Sequence, residues 1–323
     1  MPHGRSAAWL LLLFLVALAA GCGEDFGGVA DPGRRLAGRK QIAFASDRDG
    51  YTRIYAMDDD GNNQRPLSDP ESGSDTFPAW SPDGSRIAFM SYRDRNRGNA
   101  EIYVMDADGE NEVNITNSPD SHDTHPAWAP DGRHIAFASR RRYAVATRSV
   151  YVMEADGANV RLISQGDDEL ARWPAWSPDG ESIVYGTSRR DGGYQIRVVH
   201  LAGQGSRFMA RYARSNSYAL RWLALAPDGF SVATAEGETE RENIVLSDIH
   251  GGNRRIVVSS PLGYHDAPAW SPDGRRIAYA AAYQPDPRGP SLRADIHVVN
   301  LDDLSTQQLT DTRAYDSLPT WSP

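Results

Sequence analysis

The chain of 323 residues is long enough for one large domain or two ordinary ones, and at 40% hydrophobic and 24% charged residues it has the composition of a folded globular protein, not a disordered one. With 34 Lys and Arg against 43 Asp and Glu the net charge is −9, which argues against the clustered positive charge that nucleic-acid binding requires. The one cysteine excludes both an intramolecular disulfide and a cysteine-based zinc site.

The first element is an address. Arg5 gives a weakly positive start, the apolar run 7–20 contains four consecutive leucines, and Ala19-Ala20-Gly21 leads into Cys22. An apolar stretch this short, ending in small residues, is expected to be a secretory signal (residues 1–21) and not a spanning helix. Its last four residues resemble a bacterial lipobox, which implies that Cys22 is lipidated and becomes the mature N-terminus. Acyl chains contribute about 0.8 kcal/mol per buried CH2, so several of them would hold the protein durably on a membrane. Residues 22–40, rich in Gly, Asp and Arg and without apolar periodicity, read as a flexible tether.

From residue 41 onward one unit recurs six times. Pro78-Ala-Trp80-Ser-Pro-Asp-Gly84 returns at 126–132, 174–180 and 268–274, in degenerate form at 223–229, and in part at 319–323. The key apolar positions 80, 128, 176, 225, 270 and 321 are spaced by 48, 48, 49, 45 and 51 residues. Each unit carries four strand signals. The Pro-Ala-Trp segment is strand A, closed by a Pro-Asp-Gly turn. Strand B is Ile42-Ala-Phe44, Ile87-Ala-Phe89, Ile135-Ala-Phe137 and their counterparts at 183–185, 232–234 and 277–279. Strand C is Ile54–Met57, Ile102–Met105, Val150–Met153 and the segments around Ile196, Ile244 and Ile296. An Asp-Gly turn and a short strand D follow. Four-stranded units at this period predict an all-β fold, a six-bladed β-propeller. The repeats begin at strand B and end at strand A, so pairing of the C-terminal strand (about 319–322) with the N-terminal strands (from about 41) is expected to close the ring. The recurrent Trp supplies blade packing, and Trp176→Ala is expected to cost about 3–5 kcal/mol.

Trp-Ser-Pro-Asp-Gly, Ile-Ala-Phe-x-Ser, Ile-Tyr-x-Met-Asp and Asp-Gly-x-Asn, as in Ile102–Asn111, resemble the propeller repeats of the TolB family across nearly all of residues 41–323. That resemblance implies a periplasmic protein that binds a peptidoglycan-associated lipoprotein through its propeller. Only a short tether separates Cys22 from the first strand, so the α/β domain that precedes the propeller in TolB is expected to be missing.

Alternating strand directions put the tight A–B and C–D turns on one face and the long B–C and D–A loops on the other, where binding is expected. The residues just before strand A should ring the channel mouth on that face: Asp75, Asp123, His125, Arg172, Trp173, His265, Asp266 and Asp316. The bland alternative for the aspartates is local turn capping. His122, His125 and His265 offer a second chemistry, a metal-bound site such as a polysaccharide lyase would use. The Asp-Gly segments at 58–61 and 106–109 lack the closing Glu of a calcium loop and read as hairpin turns. The Arg-rich stretch Arg207, Arg211, Arg214 and Arg221 reads as the surface of a diverged blade, with a basic patch for an acidic partner as the alternative. No Gly-x-Ser-x-Gly elbow or phosphate-binding loop occurs. The expected function is therefore a non-catalytic, monomeric, cofactor-free binding module at the bacterial envelope, with a protein or glycan partner.

Overall fold

The computed structural model describes residues 40–69, 73–93, 99–141, 148–164, 169–189, 194–202, 206–212, 222–238, 241–259, 263–283 and 293–323. The predicted signal segment, Cys22, the tether up to residue 39, and Arg214 and Arg221 lie outside these residues, as do the side chains of Arg207 and Arg211. The described residues form six four-stranded antiparallel sheets. Blade 1 combines β24 (Asp316–Trp321) with β1 (Gln41–Ser46), β2 (Arg53–Asp58) and β3 (Arg65–Pro66). Blade 2 is β4 (Asp75–Trp80), β5 (Arg86–Ser91), β6 (Glu101–Asp106) and β7 (Val113–Asn114). Blade 3 is β8 (Asp123–Trp128), β9 (His134–Ser139), β10 (Ser149–Glu154) and β11 (Arg161–Leu162). Blade 4 is β12 (Glu169–Trp176), β13 (Ser182–Arg189), β14 (Tyr194–His200) and β15 (Ser206–Tyr212). Blade 5 is β16 (Trp222–Leu225), β17 (Ser231–Glu238), β18 (Arg241–Asp248) and β19 (Arg255–Val258). Blade 6 is β20 (Gly263–Trp270), β21 (Arg276–Tyr283), β22 (Arg293–Asn300) and β23 (Thr306–Gln308). The A strands β4, β8, β12, β16, β20 and β24 each contact the next around a closed ring, so they are the innermost strands of a six-bladed propeller.

The composition of strand B explains the stacking. Successive side chains point to opposite faces of a sheet, so Ile-Ala-Phe puts two large groups on one face and a small one on the other. Ile87 and Phe89 of blade 2 pack against Ala43 of blade 1, and Ile135 and Phe137 of blade 3 pack against Ala88 of blade 2. Ile42 and Phe44 of blade 1 meet Ala278 and Ala280 of blade 6 in the same way. Large groups on one blade thus fill the space left by small ones on its neighbour. The Trp of strand A ties the same joints. Nε1 of Trp176, Trp270 and Trp321 donates to the carbonyls of Ala127, Ala224 and Ala269, each on the preceding blade and each at 3.1 Å. Trp176 is only partly buried, however. The cost of its truncation is accordingly lowered to about 2–3 kcal/mol.

The C–D turns also join blades. At Gly157 (φ 89°) a β-carbon would sit 2.0 Å from the carbonyl oxygen of Ile115 in blade 2, so the close approach and the left-handed backbone both require glycine. The Asp-Gly segments are hairpin turns: Gly61 N donates to the Asp58 carbonyl and Asn63 Nδ2 to the Asp58 carboxylate. The ring closes as expected, with Ile42 opposite Trp321 and Ala45 opposite Ser317. Gln41 N donates to Ser322 Oγ, and Ser322 N to the Gln41 carbonyl, both at 2.8 Å.

Candidate functional site

Proline shapes the channel. In blade 2 the register passes from Thr76–Met90 to Ala79–Ala88, so Phe77 and Pro78 together face one residue of β5. The same bulge holds His125-Pro126, Trp173-Pro174, Ala267-Pro268 and Leu318-Pro319. A proline has no N–H for the ladder and is accommodated by a bulge. The residue ahead of each proline takes a left-handed backbone, with φ between 50° and 58°, and its side chain turns toward the axis. Blade 5 has Leu223 in place of proline, and its strand pairs regularly. Phe77, His125, Trp173, Trp222, Ala267 and Leu318 consequently line one level of the channel. Phe77 and Trp222 come from opposite blades, and their rings lie 5.6 Å apart across the axis. His125 packs on Phe77 at 4.3 Å and meets Trp173 edge-on at 6.0 Å.

Above this aromatic level, on the side of the long loops, opens a cavity of about 580 Å³. Its floor is Phe77, His125, Trp173 and Trp222. Its walls are Arg148 at the entry to β10, Leu170 and Arg172 of β12, Ser188 at the end of β13, Tyr194 at the start of β14, and Asp266 of β20. The Arg172 guanidinium lies 5.8 Å from the Trp173 ring. The Nε atoms of Arg148 and Arg172 and the Nε1 of Trp173 are buried without hydrogen-bond partners. Burial, then Arg172 and Arg140, lowers Arg148 to about 10. Burial, then Arg148 and Arg172, keeps His125 well below the usual imidazole range, so it is neutral.

Of the eight residues expected at the channel mouth, the structure brings His125, Arg172, Trp173 and Asp266 to this cavity. Asp75, Asp123 and Asp316 do not line it. Each is fully buried and bound inside its own blade by an arginine from the B–C connection. Arg93 Nη2 reaches Asp75 at 2.9 Å, Arg141 Nη2 reaches Asp123 at 2.6 Å and Arg48 Nη2 reaches Asp316 at 3.0 Å. The guanidinium of Arg93 covers Tyr103 at 4.4 Å, and that of Arg48 covers Tyr55 at 4.5 Å. These aspartates are internal struts that do not line the cavity, and two of them also make local contacts of the capping kind, Asp123 accepting from Ser121 Oγ at 3.1 Å and Asp316 from Thr312 Oγ1 at 3.0 Å. Burial pushes the Asp75 carboxyl up against the opposing pull of Arg93.

Residues 70–221 match the family model described as the TolB beta propeller domain. Those residues are similar to TolB β-propeller repeats. The fold is shared with TolB from Acinetobacter baumannii, at 20% identity and a TM-score of 0.67, over 90% of this chain and 69% of that one. A protein from Agrobacterium tumefaciens provisionally named TolB aligns at 17% identity with a TM-score of 0.61, over 88% of this chain and 99% of that one. An oligogalacturonate lyase in complex with manganese aligns at 16% identity with a TM-score of 0.53, over 86% and 75% of the two chains. At these identities the shared property is the fold.

Within this TolB-like propeller the three histidines considered as metal ligands are not brought together. His122 Nδ1 accepts from the Ala100 N–H at 3.3 Å, His125 packs in the aromatic floor, and His265 Nδ1 of blade 6 lies 2.9 Å from the Glu242 carbonyl of blade 5. Among the described residues no group of three or more His, Cys, Asp or Glu side chains is placed to hold a metal ion. The position of His265 in β20 matches that of Asp75 in β4, opposite Ala281 as Asp75 is opposite Ser91. Phe77, Arg148, Leu170, Ser188, Tyr194 and Trp222 complete the cavity and were not among the expected residues. Phe77 and Trp222 had a readable signal, since they occupy the same repeat position as His125 and Trp173.

Proposed function

We propose that this chain is a binding module of the bacterial envelope, held there by lipid on Cys22, which presents the long-loop face of its TolB-like propeller to a protein partner. The observation that carries the reading is the cavity above the aromatic level of the channel. It lies on the face with the long loops, and its lining of Trp173, Trp222, Tyr194, Arg148 and Arg172 is built from the residue types that dominate protein-binding hot spots. The bulges that aim the floor side chains place left-handed backbone at five non-glycine positions, a cost that recurs at functional sites. A peptidoglycan-associated lipoprotein is the first partner to look for, since the sequence resemblance names it.

The test is crosslinked capture from envelope extract with the full-length chain as bait. One specific partner, competed by excess bait and weakened about tenfold or more by Trp173→Ala with Trp222→Ala at an unchanged melting temperature, is the expected result. Equal capture by the folded double variant would remove the cavity from the binding surface. Loss of membrane association in Cys22→Ser checks the anchor.

A further inference from the structure

We propose that the cavity beside blade 4 recognises an acidic peptide segment, with a carboxylate seated between Arg148 and Arg172 and an adjacent apolar or aromatic side chain on the Trp173–Trp222 floor. This rests on the protein-binding reading above and specifies the chemistry of what is bound.

Elsewhere in the blades several arginines are neutralised at close range: Arg48, Arg93 and Arg141 by Asp316, Asp75 and Asp123, and Arg254 by Glu236. Arg148 and Arg172 share one cavity, with Asp266 of blade 6 in its opposite wall, and their Nε atoms are buried without a hydrogen-bond partner. Arg140 adds a further positive charge next to Arg148, and its Nε is buried and unpartnered as well. Like charges held in a low-dielectric wall destabilise the fold unless an anion joins them, and a guanidinium fork matches the geometry of a carboxylate. On a body of net charge −9 this cationic spot is local. Screening confines it to roughly 8 Å at physiological salt, so it selects an anion already seated and does not steer distant ones.

The floor argues for the rest of the ligand. Phe77, Trp173 and Trp222 offer ring faces and edges within one level, and neutral His125 adds a fourth ring without adding charge. A volume of about 580 Å³ lies within the range of specific ligand pockets and accepts a few side chains. Among the described lining residues only Ser188 and Tyr194 supply hydroxyls. A glycan needs many neutral hydrogen-bonding partners for its hydroxyls, whereas a peptide of acidic and apolar side chains does not, so the lining favours the peptide.

The test uses the full-length chain in detergent and two matched short peptides, capped at both ends, that carry Glu-Phe-Glu or Gln-Phe-Gln. Digalacturonate serves as a third probe, and binding is read by calorimetry at constant ionic strength. The Glu peptide is expected to bind at least about tenfold tighter than the Gln peptide. Arg148→Met and Arg172→Met should each abolish that preference while leaving the affinity for the Gln peptide unchanged. Their melting temperatures should be no lower than that of the unmodified protein, because a buried like charge has been removed. If Arg172→Met melts lower, through loss of its stacking on Trp173, Arg148→Met decides alone. Equal affinity for the two peptides, a preference that survives in Arg148→Met, or binding of digalacturonate without binding of either peptide would overturn the proposal. A captured envelope partner with no carboxylate preference would sink this inference and leave the protein-binding reading standing. A carboxylate preference without a captured partner would do the reverse.

Discussion

Asp75 is the residue on which function and stability are most easily confused. It is a carboxylate next to a channel, yet it is fully buried and its charge is answered within blade 2 by Arg93, which also meets Glu112 and covers the Tyr103 ring. Removing one member of a buried pair leaves the other charge stranded, so Arg93→Met should destabilise the protein by about 3–5 kcal/mol. Adding Asp75→Asn to that variant should restore most of the loss. Urea midpoints of the single and double variants check this, and a double variant as unstable as Arg93→Met alone would show that Asp75 is not the group left stranded. The arrangement was partly legible in the sequence. Ser46-Asp47-Arg48, Ser91-Tyr92-Arg93 and Ser139-Arg140-Arg141 occur in the three blades whose A strands begin with Asp, while blade 4 has Ala171 at that place and keeps only the arginine, Arg189, and blade 6 has His265 there with neither the serine nor the arginine. Reading Asp75, Asp123 and Asp316 as a ring of ligands considered each strand separately and missed that covariation. Arg148 had no such signal. It enters the cavity because its backbone bridges to Leu170 of the next blade, a relation between distant segments.

At the scale of the strand, the repeat wrote most of the fold openly. The four strands per unit, the tight turns and the blade closed by both ends all follow from residue types at fixed spacing. Proline's effect was less visible, since Pro78 and its counterparts read as part of a strand and act as the source of a bulge that re-aims the preceding side chain. Blade 6 carries a different local feature. His265 and His297 both pack against the Tyr279 ring, at 5.6 and 5.7 Å. Burial, then the neighbouring His265, lowers His297 to about 4, and burial lowers His265 although the Glu242 carbonyl opposes the change. Above pH about 6.5 both imidazoles are neutral whether the chain is folded or not, and they confer no pH dependence. As pH falls from about 6.5 to 4 the unfolded chain binds protons that the folded blade refuses, so stability declines. For His297 the loss is about 1–2 kcal/mol once its partial exposure to solvent is allowed for. Comparison of denaturant midpoints at pH 7.5 and 4.5 should show a smaller decline in His297→Gln than in the unmodified protein. Equal declines would mean that His297 titrates as it does in the unfolded chain.

The six blades form a ring, and a ring is only as strong as its seam. Five blades are made from consecutive strands, whereas blade 1 joins β24 to β1 across nearly the full length of the chain. Closing so long a loop costs conformational entropy before any contact is made, so the seam needs strong local contacts. Trp321 supplies several of them. Its side chain is buried with Ile42, Phe44, Tyr55 and Met57 on one side and Ala278, Ile296 and Val298 of blade 6 on the other. Its Nε1 donates to the Ala269 carbonyl, and Arg276 lies 4.6 Å over its ring while also pairing with Asp59 of blade 1 at 3.0 Å. Trp176 makes the equivalent bond to Ala127 but is partly exposed and lies between blades joined in sequence. Trp321→Ala should therefore cost about 3–5 kcal/mol, more than the same change at Trp176. Its effect should also be uneven. Amide exchange in β1, β24 and β23 should accelerate before that in blades 3 and 4, because loss of the seam opens the ring locally while the remaining joints persist. Uniform acceleration in all six blades would instead mean that the propeller opens as one cooperative unit and that the seam is no weaker than any other joint.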